Sequence, residues 1–220
     1  MKCDACDGTG WQMAERDGME VAEDCACCRV TRDPLELAGV PGRVRAWTEA
    51  GLTEPQRAAL VAARAFLEAG ESVLLGGPVG RGKTGVAAAL ARGWASKGRS
   101  LAWCHVPTWL RQLKDTFGRS RDADEQAPTE ASMVETLLDA DLLVVDDLAA
   151  EHLTDWTRGM VYALVDGRDG SLKPAVYTSN LPLEGDGQTI ASLYGERVAS
   201  RLGRARRIVL AAGPDRRRAR

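Results

Sequence analysis

Gly77-Pro78-Val79-Gly80-Arg81-Gly82-Lys83-Thr84-Gly85 follows a short β-prone run, Ser72 to Leu75, and opens an alanine-rich stretch that Gly98 stops. G-x-x-x-x-G-K-T between a strand and a helix is the pattern of a phosphate-binding loop. The glycines let the backbone curl so that successive N–H groups point at phosphate oxygens, and the helix N-terminus adds a positive field. Lys83 brings a mobile cation to the β- and γ-phosphates, and the Thr84 hydroxyl is placed to ligate Mg2+. Two further groups suit the same chemistry. Leu142-Leu143-Val144-Val145 ends in Asp146-Asp147, where Asp146 is the expected Mg2+ ligand through water and Asp147 the group that orients or deprotonates an attacking water. Ala175-Val176-Tyr177 leads into Thr178-Ser179-Asn180, and Asn180 is placed to hydrogen-bond both that water and the γ-phosphate. Taken singly, an acidic pair or a terminal Asn also reads as a helix cap or a solvated strand end; in this order after a phosphate loop they reinforce one another.

The cysteines form a second chemical group. Five of six lie in the first 28 residues, as Cys3-x-x-Cys6 and Cys25-Ala26-Cys27-Cys28, while Cys104 stands alone in a strand-like run and reads as a small buried hydrophobe. In a reducing compartment such close pairs point to metal before disulfide. Thiolates two residues apart fit one edge of a tetrahedron, and two such knuckles close a structural Zn2+ site with no open position for catalysis. Cys28 is the better fourth ligand by spacing, and Cys27 is its alternative.

These groups need a frame. At 220 residues with net charge −2, the chain can bury one good core and has no global basic field that would announce nucleic acid. Charge is uneven, with 4 basic against 9 acidic residues over 1–40 and 8 against 1 over 201–220, so the terminal arginines either touch phosphates or stand in solvent. No apolar run approaches a membrane span and the polar, cysteine-bearing start is unlike a signal peptide, so a cytoplasmic protein without a membrane partner is expected. Three parts are expected: a zinc module at 1–30, a linker at 31–51 interrupted by Asp33-Pro34, Gly39, Pro41-Gly42 and Gly51, and an ATPase domain at 52–220. Thr53 caps a helix running to Ala69, with Gln56 at the capping-box position. Helices are expected over Lys83–Lys97, Pro107–Phe117, Ser132–Ala140, Thr154–Arg168 and Thr189–Gly203, and strands over Ser100–Val106, Asp141–Asp147, Pro174–Asn180 and Arg207–Leu210. Residues 118–130 read as a mobile loop. Strands alternating with helices make a parallel sheet covered on both faces, an α/β fold that collects ligands beyond the carboxyl ends of its strands. Trp94, Trp103, Trp109 and Trp156 read as core.

Gly77 to Thr84, Leu142 to Leu148, Thr178-Ser179-Asn180-Leu181 and Tyr194-Gly195-Glu196-Arg197-Val198-Ala199-Ser200-Arg201-Leu202 together resemble the signature series of AAA+ ATPases of the bacterial replicative helicase-loader family (DnaC/DnaI-like), with IstB-like transposition helpers as close relatives. The resemblance covers roughly residues 36–217, including Ala38-Gly39-Val40-Pro41. It implies the three-layer P-loop AAA+ sheet, ATP and Mg2+ as cofactors, and hydrolysis at subunit boundaries. Arg201 matches the arginine that reaches into the neighbouring subunit's site, with Arg197 one helical turn before it. A full helical lid is not expected. Its substitute in the family is an arginine near the C-terminus, and Gly213-Pro214-Asp215-Arg216-Arg217 nominates Arg217. Asp147 stands where the wider superfamily carries Glu, which implies a slow, switch-like ATPase. Cys3 to Trp11 resembles the zinc-bearing helicase-docking module of some loaders, a module that transposition helpers generally lack. Residues 107–130 match an inserted helical element that binds single-stranded DNA in the family; Arg111, Lys114, Arg119 and Arg121 supply charge there and Trp109 and Phe117 the aromatics, with a partly buried helix and a solvated loop as the alternative. The expected activity is ATP-dependent placement of a replicative helicase on single-stranded DNA. The alternatives are a transposition helper that assembles on DNA with ATP, and an adaptor that binds ATP without hydrolysing it.

Overall fold

Val73–Gly76, Leu142–Leu148 and Ala175–Ser179 bury nearly every residue, so each needs cover on both faces. In the computed structural model, which describes residues 3–7, 9, 11–16, 18–25, 33–115, 129–150 and 153–211, they are the three inner strands of a five-stranded parallel sheet. In chain order the elements are the hairpin strands β1 (Trp11–Arg16) and β2 (Met19–Asp24), the one-turn helices α1 (Pro34–Leu37) and α2 (Gly42–Arg45), a 3-10 turn at Glu49–Gly51, α3 (Glu54–Glu68), β3 (Val73–Gly76), α4 (Lys83–Ala95), β4 (Leu101–His105), α5 (Val106–Asp115), α6 (Glu130–Asp139), β5 (Leu142–Leu148), α7 (Asp155–Gly170), β6 (Ala175–Ser179), α8 (Ile190–Tyr194), α9 (Glu196–Leu202) and β7 (Arg206–Val209). The sheet order is β4-β5-β6-β3-β7.

Strand alternation assigns the two outer layers. Val73, Leu75, Leu142, Val144 and Val176 face a core shared with α3 and α4, whereas Leu74, Leu143, Val145, Ala175 and Tyr177 face one shared with α5, α7, α8 and α9. Helix α4 lies in the first layer with Ala87, Ala88, Ala89 and Ala91 all buried, small side chains that let a helix approach a sheet closely. Arg168, 1% exposed, staples the second layer: its guanidinium donates to the carbonyls of Leu138, Ala140, Asp141 and Pro174 at 2.6–3.0 Å. Burial lowers its pKa to about 10, still charged at neutral pH.

Several elements differ from the sequence expectation. The segment read as a linker carries α1 and α2, and Leu35, Val40 and Val44 are buried in the α3/α4 core; its prolines and glycines bound short helices, with Asp33 accepting from Leu35 N at 3.0 Å ahead of Pro34. Thr189 to Gly203, expected as one helix, is the pair α8 and α9, divided at Gly195 where φ is +88°. The β1/β2 hairpin pairs Trp11 with Asp24 through Arg16 with Met19; its polar alternation escaped the sequence reading. Trp94, Trp103 and Trp109 are 7%, 5% and 5% exposed, so Trp109 is unavailable to stack on a base. Cys104 is buried as well. Among the described residues no helix is long and apolar enough to cross a membrane.

Candidate nucleotide-binding site

The phosphate loop connects β3, a central strand, to the N-terminus of α4, and its last turn depends on backbone that only glycine adopts easily. Gly82 caps α4 at φ +83°, and a Cβ there would run into Gln56 Nε2. Gln56 is 4% exposed. Its Oε1 accepts from Thr53 N at 2.9 Å, completing the cap of α3, while its Nε2 donates to Arg81 O at 2.8 Å. The residue read from sequence as a helix cap therefore also fixes the loop. Gly85 lies just inside α4 against the ring of Trp47, and Val79, half exposed, marks the loop's open side.

Lys83 turns back over the loop, 7% exposed. Its Nζ donates to Gly77 O at 2.6 Å, Pro78 O at 2.9 Å and Asn180 Oδ1 at 2.6 Å. Asn180 Nδ2 in turn donates to Asp147 Oδ1 at 3.2 Å. Thr84 Oγ1 and Thr178 Oγ1 both donate to Asp146 Oδ1, at 3.0 and 2.8 Å. Residues from the ends of three adjacent strands thus meet above the sheet edge, as their positions in the chain suggested. Thr84 and Asp146 form an oxygen donor set suited to a hard divalent cation such as Mg2+. Burial raises the Asp146 pKa above the usual carboxylate value, and the charge of Asp147 adds to that against the hydrogen bonds from Thr178 and Thr84.

Asp147 is set differently from its neighbour. It is at φ +63° on an irregularity that shifts the β5/β6 register between Val145 and Leu148, and its N–H donates to Thr178 Oγ1 at 2.9 Å. The shift leaves its side chain 39% exposed beside the loop, with His105 Nε2 at 3.9 Å. His105 was missed in the sequence. It ends β4 directly opposite Asp146, a place that strand register alone reveals, and its Nδ1 lies 2.8 Å from Thr108 Oγ1.

The arginines of α9 face elsewhere. Arg197 is exposed; Arg201 pairs with Asp166 of α7 and lies over the Tyr162 ring at 5.4 Å. On α5, Arg111 is exposed and Lys114 Nζ lies 5.5 Å from the Trp156 ring centroid. Cys3, Cys6 and Cys25 bring their sulfurs within 4.8 Å of one another, with Cys3 Sγ and Cys25 Sγ 3.7 Å apart. An edge of about 3.8 Å follows from a tetrahedron with Zn–S bonds near 2.3 Å, and the Cys3–Cys25 separation matches it, so the group is compatible with a metal ion. Cys27, Cys28, Phe117, Arg119, Arg121 and Arg217 lie outside the described residues.

Comparison with known proteins gives this arrangement relatives. The family model described as IstB-like ATP binding protein matches residues 46–199. The replicative helicase loader DnaC of Escherichia coli (strain K12) is 29% identical over 153 residues, covering 68% of this chain and 58% of that protein. The ATP-binding protein Rv3427c in an insertion sequence of Mycobacterium tuberculosis is 33% identical over 120 residues, 54% of this chain and 45% of that protein. A crystal structure of the DnaC helicase loader superposes with a TM-score of 0.61 at 24% identity, covering 79% of this chain and 100% of that one. The last match carries the fold, a P-loop AAA+ sheet. The chain spans about half the length of the curated relatives it matches.

Proposed function

The chain belongs to the IstB-like ATP-binding protein family, and from that premise we propose that it is an AAA+ ATPase that binds a replicative DNA helicase and helps place it on single-stranded DNA in the cytoplasm. The observation that carries the ATPase reading is the connected set Lys83–Asn180–Asp147 beside Thr84–Asp146. Loader rather than another activity is favoured by the match to DnaC over 153 residues, joined to a cysteine group ahead of it that suits a docking module.

In this reading the backbone of Gly77 to Gly82 and the start of α4 hold the phosphates. Lys83 exchanges its contacts with Gly77 O and Pro78 O for phosphate oxygens while keeping Asn180 aligned. Thr84 and Asp146 hold Mg2+, which when bound neutralises charge on the phosphates. Asp147 and Asn180 orient the attacking water, and Asp147, one methylene shorter than Glu, does so slowly. Arg201 leaves Asp166 to reach the next subunit's γ-phosphate, with Arg197 beside it and Arg217 sensing the nucleotide in its own subunit. Arg111 and Lys114 on α5 contact single-stranded DNA through phosphates, since Trp109 is buried. Cys3, Cys6, Cys25 and one of Cys28 or Cys27 would hold a structural Zn2+, and the module that they brace would dock the helicase.

The test is loading itself. The cognate replicative helicase is offered a closed single-stranded circle with an annealed strand, with ATP, with and without this protein, and strand displacement is followed. Displacement that depends on the protein supports the loader. A second reading, a transposition helper, is favoured by the family description and by the insertion-sequence relative. ATP-dependent assemblies on double-stranded DNA, without helicase stimulation, would select it.

A further inference from the structure

Helix α8 ends at Tyr194 and α9 begins at Glu196, so Gly195, at φ +88°, is the whole connection. Tyr194 is 7% exposed and belongs to the core between the sheet and the α7–α9 layer. Its Oη accepts a hydrogen bond from Ala149 N at 2.9 Å. Ala149 is at φ +71°, two residues beyond Asp147 at φ +63°. Non-glycine residues in the left-handed region are costly and persist where their surroundings hold them. Here side chains take both backbone N–H groups: Thr178 Oγ1 that of Asp147, and Tyr194 Oη that of Ala149. Beyond Gly195, the seven-residue α9 carries the exposed Arg197 and the Asp166-bound Arg201. One hydroxyl therefore joins the backbone that aims Asp147 to the pivot of the helix that carries Arg201.

We propose that Tyr194 is a positioning residue that couples the Asp147 bulge of one subunit to the arginine helix that the same subunit presents to its neighbour. The proposal rests on the reading of Arg201 as acting in trans. When the bulge changes with the state of the γ-phosphate, Ala149 N moves relative to Tyr194 Oη, and the Gly195 pivot converts gain or loss of that bond into a tilt of α9. Core packing holds the ring, and the hydroxyl contacts the bulge.

Tyr194→Phe keeps the ring and removes the acceptor. In uniform assemblies we expect kcat to fall about fivefold, the worth of one hydrogen bond, with the ATP Kd unchanged; a general loss of fold moves both. Mixed assemblies, shown to co-assemble, then locate the effect. The control combines Arg201→Ala chains with Lys83→Ala chains, which restores hydrolysis through one intact boundary. Tyr194→Phe placed in the Arg201→Ala chain tests the bulge of the hydrolysing subunit, and placed in the Lys83→Ala chain it tests the arginine delivered to that subunit. Coupling requires both placements to lower the restored rate. A loss in one placement only, or in neither, overturns the proposal while leaving the trans role of Arg201 standing. No recovery in the control overturns that role, and the coupling with it.

Discussion

Asp146 is a carboxylate kept at 3% exposure between two hydroxyls. Such a group opposes folding until a cation arrives, because burial has removed its water. Its raised pKa sets the sign. Below the unfolded-state value Asp146 is protonated in both states and costs nothing. As pH rises through the folded-state value, the native protein must hold a charge that the unfolded chain holds more cheaply, so stability falls. Asn at this position keeps an Oδ1 acceptor for both hydroxyls and carries no charge. Asp146→Asn should therefore raise the melting temperature of nucleotide-free protein at neutral pH, with a gain that shrinks as pH drops below the carboxylate range, and should abolish Mg2+-dependent tightening of ATP. Thermal melts across pH, with and without Mg2+, read both effects. A variant that melts below the parent at pH 7 would show that the buried charge is not the governing cost. Lys83 and Asp147 separate binding from turnover. Lys83→Ala removes a cation able to make two charge-assisted bonds to phosphate, at ~1.5–3 kcal/mol each, so ATP affinity should fall by at least roughly 100-fold. Asp147→Asn should bind ATP within a few-fold of the parent while hydrolysis drops. Equal losses of affinity in the two variants would refute this division, and titration with a fluorescent ATP analogue measures it.

The elements are joined by single side chains at their ends. Gln56 ties the first turn of α3 to Arg81 O in the phosphate loop, so the loop is held by a helix on its flank as well as by the strand and helix it connects. Gly82→Ala should weaken ATP binding for two reasons, about 1–2 kcal/mol for a left-handed alanine and a collision with Gln56 Nε2. Gln56→Ala alone should cost about 1 kcal/mol of stability by freeing Arg81 O and the α3 cap. In the double variant the collision disappears, so the combined loss should be smaller than the sum of the single losses. A double-mutant cycle on nucleotide binding and on urea unfolding tests this; strict additivity would mean that the loop yields without pressing on Gln56. The Thr189 to Gly203 stretch shows the same dependence on an end. Its residues suit one helix, but Gly195 N donates to Ala191 O at 2.8 Å with φ +88°, which closes α8 and starts α9 in a new direction.

At the scale of the whole molecule, the AAA+ core and the cysteine group are proposed as separable units. The hairpin leaves Trp11, Met13 and Met19 about 60% exposed, so it buries too little apolar surface to fold unaided, and structural Zn2+ can contribute ~10–16 kcal/mol apparent in small peptides. Cys3→Ser or Cys25→Ser should release zinc and abolish co-elution with the helicase while ATP affinity stays within about twofold, because the phosphate loop is anchored by β3, α3 and α4. Metal content by mass spectrometry, helicase co-elution and ATP titration decide it. Undiminished helicase capture by a zinc-free variant would remove the docking role and favour the transposition-helper reading.

Chemistry carried by neighbours in the chain was legible from residue types alone. Gly77 to Thr84 announces a phosphate loop because its curl depends on local glycines and on the strand and helix that flank it, and the inner strands announce themselves because burial on both faces demands unbroken apolar runs. Strand ends carrying Asp146, Asp147 and Asn180 followed from the rule that parallel sheets gather ligands at one edge. The partners across that edge did not follow. Lys83 meets Asn180 across 97 positions and Thr84 meets Asp146 across 62, and which atoms meet depends on strand order β4-β5-β6-β3-β7, which no local pattern encodes. His105, Gln56 and Tyr194 stayed hidden for the same reason: as residues they are an ordinary strand end, helix cap and core aromatic. Only the packed sheet and its flanking helices bring their polar ends within hydrogen-bonding reach of the loop and the bulge, because a buried polar group must find a partner wherever the fold delivers one.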